Sequence, residues 1–260
     1  MNVLVLLKMV PDVVEELEVS ADGKSLDTSF LRTILNERDD HALEQALLLK
    51  ERHGGKITVI ALDAPDMDDV LFTALAKGAD RAVKVTDVPE GLTTHAAARL
   101  CAQVIATGPG LLPVDLVLTG VQALDDLDGL SAPLLAQQLD FAYLGVVTGV
   151  AVDASGQGAT VIKEYAGGVR GEFAVRLPAV LGAQAAEKPP RYVPVAKVRA
   201  AMKTQAIETV PAPGSGAGAA LVEVQQMAKP VVSSHAEMLE GSPEEVAGKF
   251  CELLAKRGLL

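Results

Sequence analysis

The chain has 260 residues, of which 49% are hydrophobic and 22% charged, the balance of a soluble globular protein long enough to bury a substantial core without disulfides or metals. Lys and Arg number 23 against 34 Asp and Glu, so the formal net charge is −11. With aromatics at 3% and no Trp, nonspecific binding to nucleic acid or to an anionic membrane is excluded, as is a base-stacking platform.

In chain order, Val3-Leu4-Val5-Leu6-Leu7 is a continuous apolar run, as expected of a parallel strand covered on both faces. Broken by Lys8 and followed by Pro11 and Asp12, it is too short for a secretory or membrane segment, and a cytoplasmic protein is expected. Strand-like residues 17–20 and 25–26 flank Asp22-Gly23, a pair suited to a tight hairpin. Asn36 then precedes an acidic turn and a helical pattern through Ala42, Leu43, Ala46, Leu47 and Leu49, stopped by Gly54-Gly55. Residues 57–62 read as a second buried strand, about 66–78 as a helix and 82–85 as a third strand. Thr93 or Thr94 can cap a helix with Ala97, Leu100, Cys101 and Val104 on one face. A fourth strand, Leu116-Val117-Leu118, runs into Gly120, and a helix covers roughly 130–139. Strands and helices alternating at this spacing make right-handed βαβ units and a parallel sheet flanked by helices, the α/β class.

The pattern changes after Gly145. Residues 146–152, 160–164 and 172–175 are β-rich and separated by glycine-rich turns, which predicts an antiparallel excursion joined to the same sheet. Leu177-Pro178-Ala179-Val180-Leu181 predicts one more strand, followed by a basic stretch over 191–203. Pro211-Ala212-Pro213-Gly214-Ser215-Gly216-Ala217-Gly218 is the clearest linker. Beyond it, Ser242-Pro243-Glu244-Glu245 is a strong helix start, and Val246, Phe250, Leu253 and Leu254 form an apolar stripe with Gly258 near the stop. A helix of this length is not stable alone and must dock on its own domain or on a partner. The expected organisation is a nucleotide-binding α/β domain over 1–205, an extended arm over 206–232 and a docking helix within 233–260.

Catalytic signatures are missing. Neither a GxGxxG after the first strand, nor a Walker A sequence, nor a GxSxG elbow is present. His41, His53, His95 and His235 are scattered and form no zinc motif. Cys101 and Cys251 lie far apart in helix-like apolar runs, and each reads as a buried small hydrophobe. The most informative segment is 119–131, Thr-Gly-Val-Gln-Ala-Leu-Asp-Asp-Leu-Asp-Gly-Leu-Ser. It leaves the carboxyl end of a parallel strand and enters a helix, where open α/β sheets bind ligands and backbone N–H groups can cradle a phosphate. Asn36 and the strand ends at Leu6 and Leu62 should line the same crevice as Gly120, Gln122, Asp125, Gly129, Leu130 and Ser131. The bland reading of the acids is that they complement a helix dipole; a further one is a Mg²⁺ site built from Asp125, Asp126 and Asp128.

Taken in order, these stretches resemble the beta-subunit family of electron-transfer flavoproteins. The resemblance is carried by the opening from Val3 to Asp12, by Asn36-Glu37-Arg38-Asp39-Asp40 with Ala42, Glu44, Gln45 and Ala46, and by Ala76-Lys77-Gly78-Ala79-Asp80-Arg81-Ala82. It continues through Gly120-Val121-Gln122-Ala123-Leu124-Asp125-Asp126, Gly167-Gly168, Leu177-Pro178-Ala179-Val180 and Pro190-Arg191-Tyr192, nearly the whole chain. The resemblance implies a Rossmann-like sheet with an extended C-terminal arm. It also implies a heterodimer whose alpha subunit holds most of an FAD, while the beta subunit covers part of the flavin and usually buries an AMP. Such a pair takes electrons from flavin dehydrogenases and passes them to a membrane quinone oxidoreductase or another acceptor, without a protein nucleophile. By the same resemblance Val13 and Arg38 fall at flavin-facing positions, where aromatics are usual; a fixed charge at Arg38 could stabilise reduced, anionic flavin. Glu187, on the loop that in the family usually anchors the dehydrogenase, and Arg191 and Lys197, on a basic segment of an otherwise acidic chain, are expected to dock the electron donor. Where the family commonly carries Asn-Gln-Thr-Gly, this chain has Gly129-Leu130-Ser131-Ala132, which predicts a pocket that is empty or holds AMP mainly through backbone groups. Two rivals of other classes are a stand-alone adenine-nucleotide-binding sensor of related fold and a Mg²⁺-dependent hydrolase.

Overall fold

The computed structural model describes residues 1–89, 91–126, 128–214, 223–231 and 236–260; residues 215–218 of the expected linker and His235 lie outside them. The first half alternates as read: β1 (Asn2–Leu7), α1 (Glu37–His53), β4 (Lys56–Leu62), α2 (Met67–Lys77), β5 (Arg81–Thr86), α3 (Thr94–Thr107), β6 (Leu116–Gly120) and α4 (Ser131–Leu139). Between β1 and α1 lies a short antiparallel pair, β2 (Met9–Pro11) and β3 (Thr33–Leu35), and the 17–26 hairpin is closed by a bridge between Val19 and Leu26. Then follow β7 (Ala142–Val152), β8 (Gly158–Glu164), β9 (Arg170–Arg176), β10 (Ala179–Ala183), α5 (Val195–Thr204), β11 (Ile207–Pro211) and α6 (Pro243–Lys256).

Nine strands form one sheet in the order β11-β5-β4-β1-β6-β10-β7-β8-β9. All neighbours from β11 to β7 are parallel, and β7-β8-β9 is the antiparallel excursion. Because alternate side chains of a strand point to opposite faces, the unbroken apolar run of β1 feeds two cores. Val3, Val5 and Leu7 pack with Leu43, Leu47 and Leu71 on the α1–α2 face. Leu4 packs with Val83, Val104, Ile105 and Leu135 on the α3–α4 face.

Three details differ from the sequence reading. The sheet takes in Ile207–Pro211, a stretch read as arm: Ile207 lies against one core and Val210, three positions on and on the other face, against the second, and its backbone pairs with β5 from Ala82 to Thr86. The basic stretch contains a helix, α5, packed on α2 through Ala201. Cys251 is exposed, because α6 buries none of its residues; Cys101 is buried as expected.

Candidate functional site

From β1 the chain moves to β4 on one side and later returns to β6 on the other, so the carboxyl ends of these three strands meet where the winding reverses. A sheet leaves a crevice there, because the connecting helices diverge to opposite faces. A cavity of about 270 Å³ opens at this point. Leu6, Leu62, Met67, Leu92, Cys101 and Leu135 supply apolar wall, and Lys8, Asn36, Asp39, Thr94, Gln122 and Ser131 supply polar groups. Burial alone pushes the Cys101 thiol up to about 12, so it serves as apolar surface.

Of the residues expected in the crevice, Leu6, Asn36, Leu62, Gly120, Gln122 and Ser131 line it. Asp125, Gly129 and Leu130 are not part of its wall. Asp125 sits on the loop above and accepts a hydrogen bond from Lys8 Nζ at 2.7 Å. Gly129 takes the left-handed conformation, φ +64°, that lets the loop turn into α4, and Leu130 occupies the N-cap of that helix without a capping side chain. Asp126 accepts from the Thr94 hydroxyl at 2.7 Å and, more weakly, from the Ser131 hydroxyl at 3.5 Å. The two carboxylates are therefore directed at different partners. Among the described residues no three His, Cys, Asp or Glu side chains are grouped to hold a metal ion.

The floor of the cavity is set by a residue that the sequence reading treated only as part of a polar helix start. Asp39 is buried, at 5% exposure, in the first turn of α1. One of its oxygens accepts the Gly120 N–H at 2.7 Å and the other the Lys8 N–H at 2.9 Å, tying the end of β6 to the end of β1. Burial pushes its carboxyl up to about 7, against the opposing pull of these hydrogen bonds. Position 120 must be glycine for this to fit: a Cβ there would lie 2.6 Å from both Arg38 Cβ and Asp39 Oδ1. Asn36 is the N-cap of α1 but makes no cap bond; its side-chain amide donates to the Gln122 carbonyl at 3.1 Å, joining helix start to loop. Lys8, Asp39 and Thr94 could have been found by applying the strand-end rule to every residue just after a strand and at every helix start facing the same edge.

Val13 and Arg38, expected to face a flavin, do not line this cavity. Val13 is 53% exposed. The Arg38 guanidinium donates to the Gln184 carbonyl at 2.8 Å, beyond β10. Two of the three residues expected on a docking segment turn inward. Arg191 binds the buried Glu44 through Nε and Nη2, at 2.9 and 2.8 Å, and Glu51 through Nη1 at 2.7 Å. Burial pushes the Glu44 carboxyl up, but the Arg191 hydrogen bonds outweigh it and hold the group below the ordinary value. Glu187 pairs with Arg52 and also accepts from Gln45. These bonds clamp the segment after β10 onto α1. Lys197 is exposed on α5.

The family model for the electron transfer flavoprotein domain matches residues 26–215. The chain is 31% identical over 264 residues to the electron transfer flavoprotein subunit beta of Methylophilus methylotrophus, covering 98% of each protein. It is 30% identical to the subunit of the same name from Syntrophomonas wolfei, covering 97% of this chain and 95% of that one. To Protein FixA of Azorhizobium caulinodans it is 34% identical over 70% of this chain and 65% of that protein.

Proposed function

This chain belongs to the electron-transfer flavoprotein family, among its beta subunits, and from that premise we propose that it pairs with an alpha subunit to form a heterodimeric electron carrier. The alpha subunit holds most of an FAD, electrons arrive from flavin dehydrogenases, and they leave to a quinone oxidoreductase or another acceptor. When bound, the flavin supplies the one- and two-electron chemistry. The residues of this chain bind, cover and orient.

The observation that carries the reading is the state of α6. It has a complete capping box, Pro at its start and an apolar stripe through Val246, Phe250, Leu253 and Leu254, yet not one of its residues is buried. A stripe of this kind is worth about 1.5–3 kcal/mol per large side chain once covered, which favours a partner that receives it. A flavin held mainly by that partner also suits the surface position of Val13. The strand-end cavity suits an AMP: its apolar wall can take a base, and Asn36, Gln122, Thr94 and Ser131 offer hydrogen bonds to ribose hydroxyls. Lys197 and its neighbours on α5 are left to meet an electron donor, while Arg191 and Glu187 act by holding that segment in place.

Co-purification tests this. A tagged chain, expressed with its native operon or genome, should bring down one flavoprotein subunit at a 1:1 ratio in a yellow complex, and removing the residues after Pro213, which leaves β11 in the sheet, should abolish flavin retention. A colourless protein that purifies alone overturns the proposal. An arm-less chain that keeps its flavin partner removes the arm from the clasp.

A further inference from the structure

Lys8 is the first residue beyond β1, and its side chain reaches the mouth of the cavity rather than the core. Among the described residues that line the cavity it is the only cationic one. The other charged lining groups are acids. Asp39 has both oxygens committed to backbone N–H groups, and Asp63 lies 3.5 Å from Lys84. The Lys8 ammonium is itself engaged, at 2.7 Å, by Asp125 from the loop above. That pair is half-exposed, at 45% and 35% for the two side chains, the setting in which an ion pair is weak and readily exchanged.

We infer that Lys8 is the residue that recognises the phosphate of a nucleotide in this cavity, and that Asp125 is its internal competitor. The inference rests on the nucleotide reading of the cavity given above and assigns it a charge-selecting group. A phosphate monoester carries about −1.5 to −2 at neutral pH, against −1 for a carboxylate, so it can displace Asp125 from the ammonium. The Lys8–Asp125 contact then serves as a latch: closed, it neutralises the wall; open, it frees the loop and exposes one cation to the ligand. The geometry suits the exchange, because Lys8 is anchored through its own N–H on Asp39 while its ammonium end stays in reach of solvent.

The test compares AMP with adenosine, which differ only in the phosphate. Both are titrated calorimetrically into the full-length chain, with whatever subunit accompanies it, after nucleotide has been stripped on charcoal. Lys8→Met should weaken AMP about tenfold or more, the loss expected for one hydrogen bond to a charged group, and leave adenosine within about twofold. Adenosine binding also reports that the variant is folded. Asp125→Asn should tighten AMP several-fold and leave adenosine unchanged. Equal losses for both ligands in Lys8→Met would make Lys8 a wall residue and overturn the inference, as would weaker AMP binding in Asp125→Asn. A wild-type chain that binds adenosine but shows no gain from the phosphate also sinks it while sparing the nucleotide cavity. A chain that binds neither ligand removes the nucleotide reading itself, and the inference with it.

Discussion

Helices α1 and α6 begin alike and end differently. Each follows a polar N-cap, carries acids in its first turn and repeats apolar residues at helical spacing over 17 and 14 residues. Nine residues of α1 are buried and none of α6. The caps are used in opposite ways. In α6 the Ser242 hydroxyl accepts the Glu245 N–H and the Glu245 carboxylate accepts the Ser242 N–H, a closed local pair. In α1 the Asn36 side chain leaves its helix and bonds the Gln122 carbonyl, while Asp39 binds the ends of two strands. A helix stabilised by tertiary burial can lend its first turn to a site. A helix without burial has to keep its own cap.

The largest effects should therefore separate the two helices. Leu49, fully buried in the core beneath α1, should cost about 2–5 kcal/mol when replaced by Ala, since both transfer energy and a cavity are lost. Phe250→Ala on α6 should change the unfolding free energy of the isolated chain, from chemical denaturation, by no more than about 0.5 kcal/mol, the usual scale for a surface position. In the complex with its partner the same change should weaken association. A large loss from Phe250→Ala in the isolated chain would show that α6 is docked at home and that the contrast between the helices is false.

A second test uses pH on the first turn of α1. The Asp39 carboxyl is raised to about 7 by burial, so the native state binds its proton more tightly than the unfolded chain does. Its contribution is fully present below the ordinary carboxylate value near 4 and is lost as pH rises through about 7. Glu44 and Glu187 are shifted the other way, and their contribution is lost only as pH falls below the ordinary range, outside this window. Between pH 5 and 7 the wild type should thus lose stability relative to Asp39→Asn, with a slope of up to about 1.4 kcal/mol per pH unit. Denaturation curves for both proteins across that range decide it. Parallel pH profiles would mean that Asp39 titrates normally and that water reaches it.

Most of the sheet was legible because strand burial is written as unbroken apolar runs: 3–7, 57–62 and 116–118 each matched an observed strand to within two residues at either end. What failed depended on neighbours. The five residues of β11 carry Glu208, Thr209 and Pro211 and look like arm, and only the open edge of β5 makes them a strand. Gln122 and Ser131 were found from topology, since a loop at the carboxyl end of a strand has a fixed address. Asp39 was passed over because a carboxylate in a helix's first turn is ordinarily a solvated dipole partner; its burial is decided by Gly120, 81 positions away. Arg191 was placed on a docking segment, and its inward ion pair was not legible in the sequence because its partner Glu44 sits on the buried face of a distant helix.

The smallest predicted effect is on the cap of α6. Ser242→Ala removes the acceptor for the Glu245 N–H, and caps of this kind are worth about 0.5–2 kcal/mol. Because α6 buries nothing, that loss should not appear in global unfolding, which reports the sheet and its two cores. It should appear locally, as faster amide hydrogen exchange across the first two turns of α6, with exchange in α1 unchanged. Asn36→Ala should give the complementary result. Helix α1 keeps its buried face and its protection, while the loop around Gln122 loses one tether and exchanges faster. If Ser242→Ala instead lowered protection in the sheet, α6 would be part of the same cooperative unit as the domain, and the apolar stripe through Phe250 would already have found its surface.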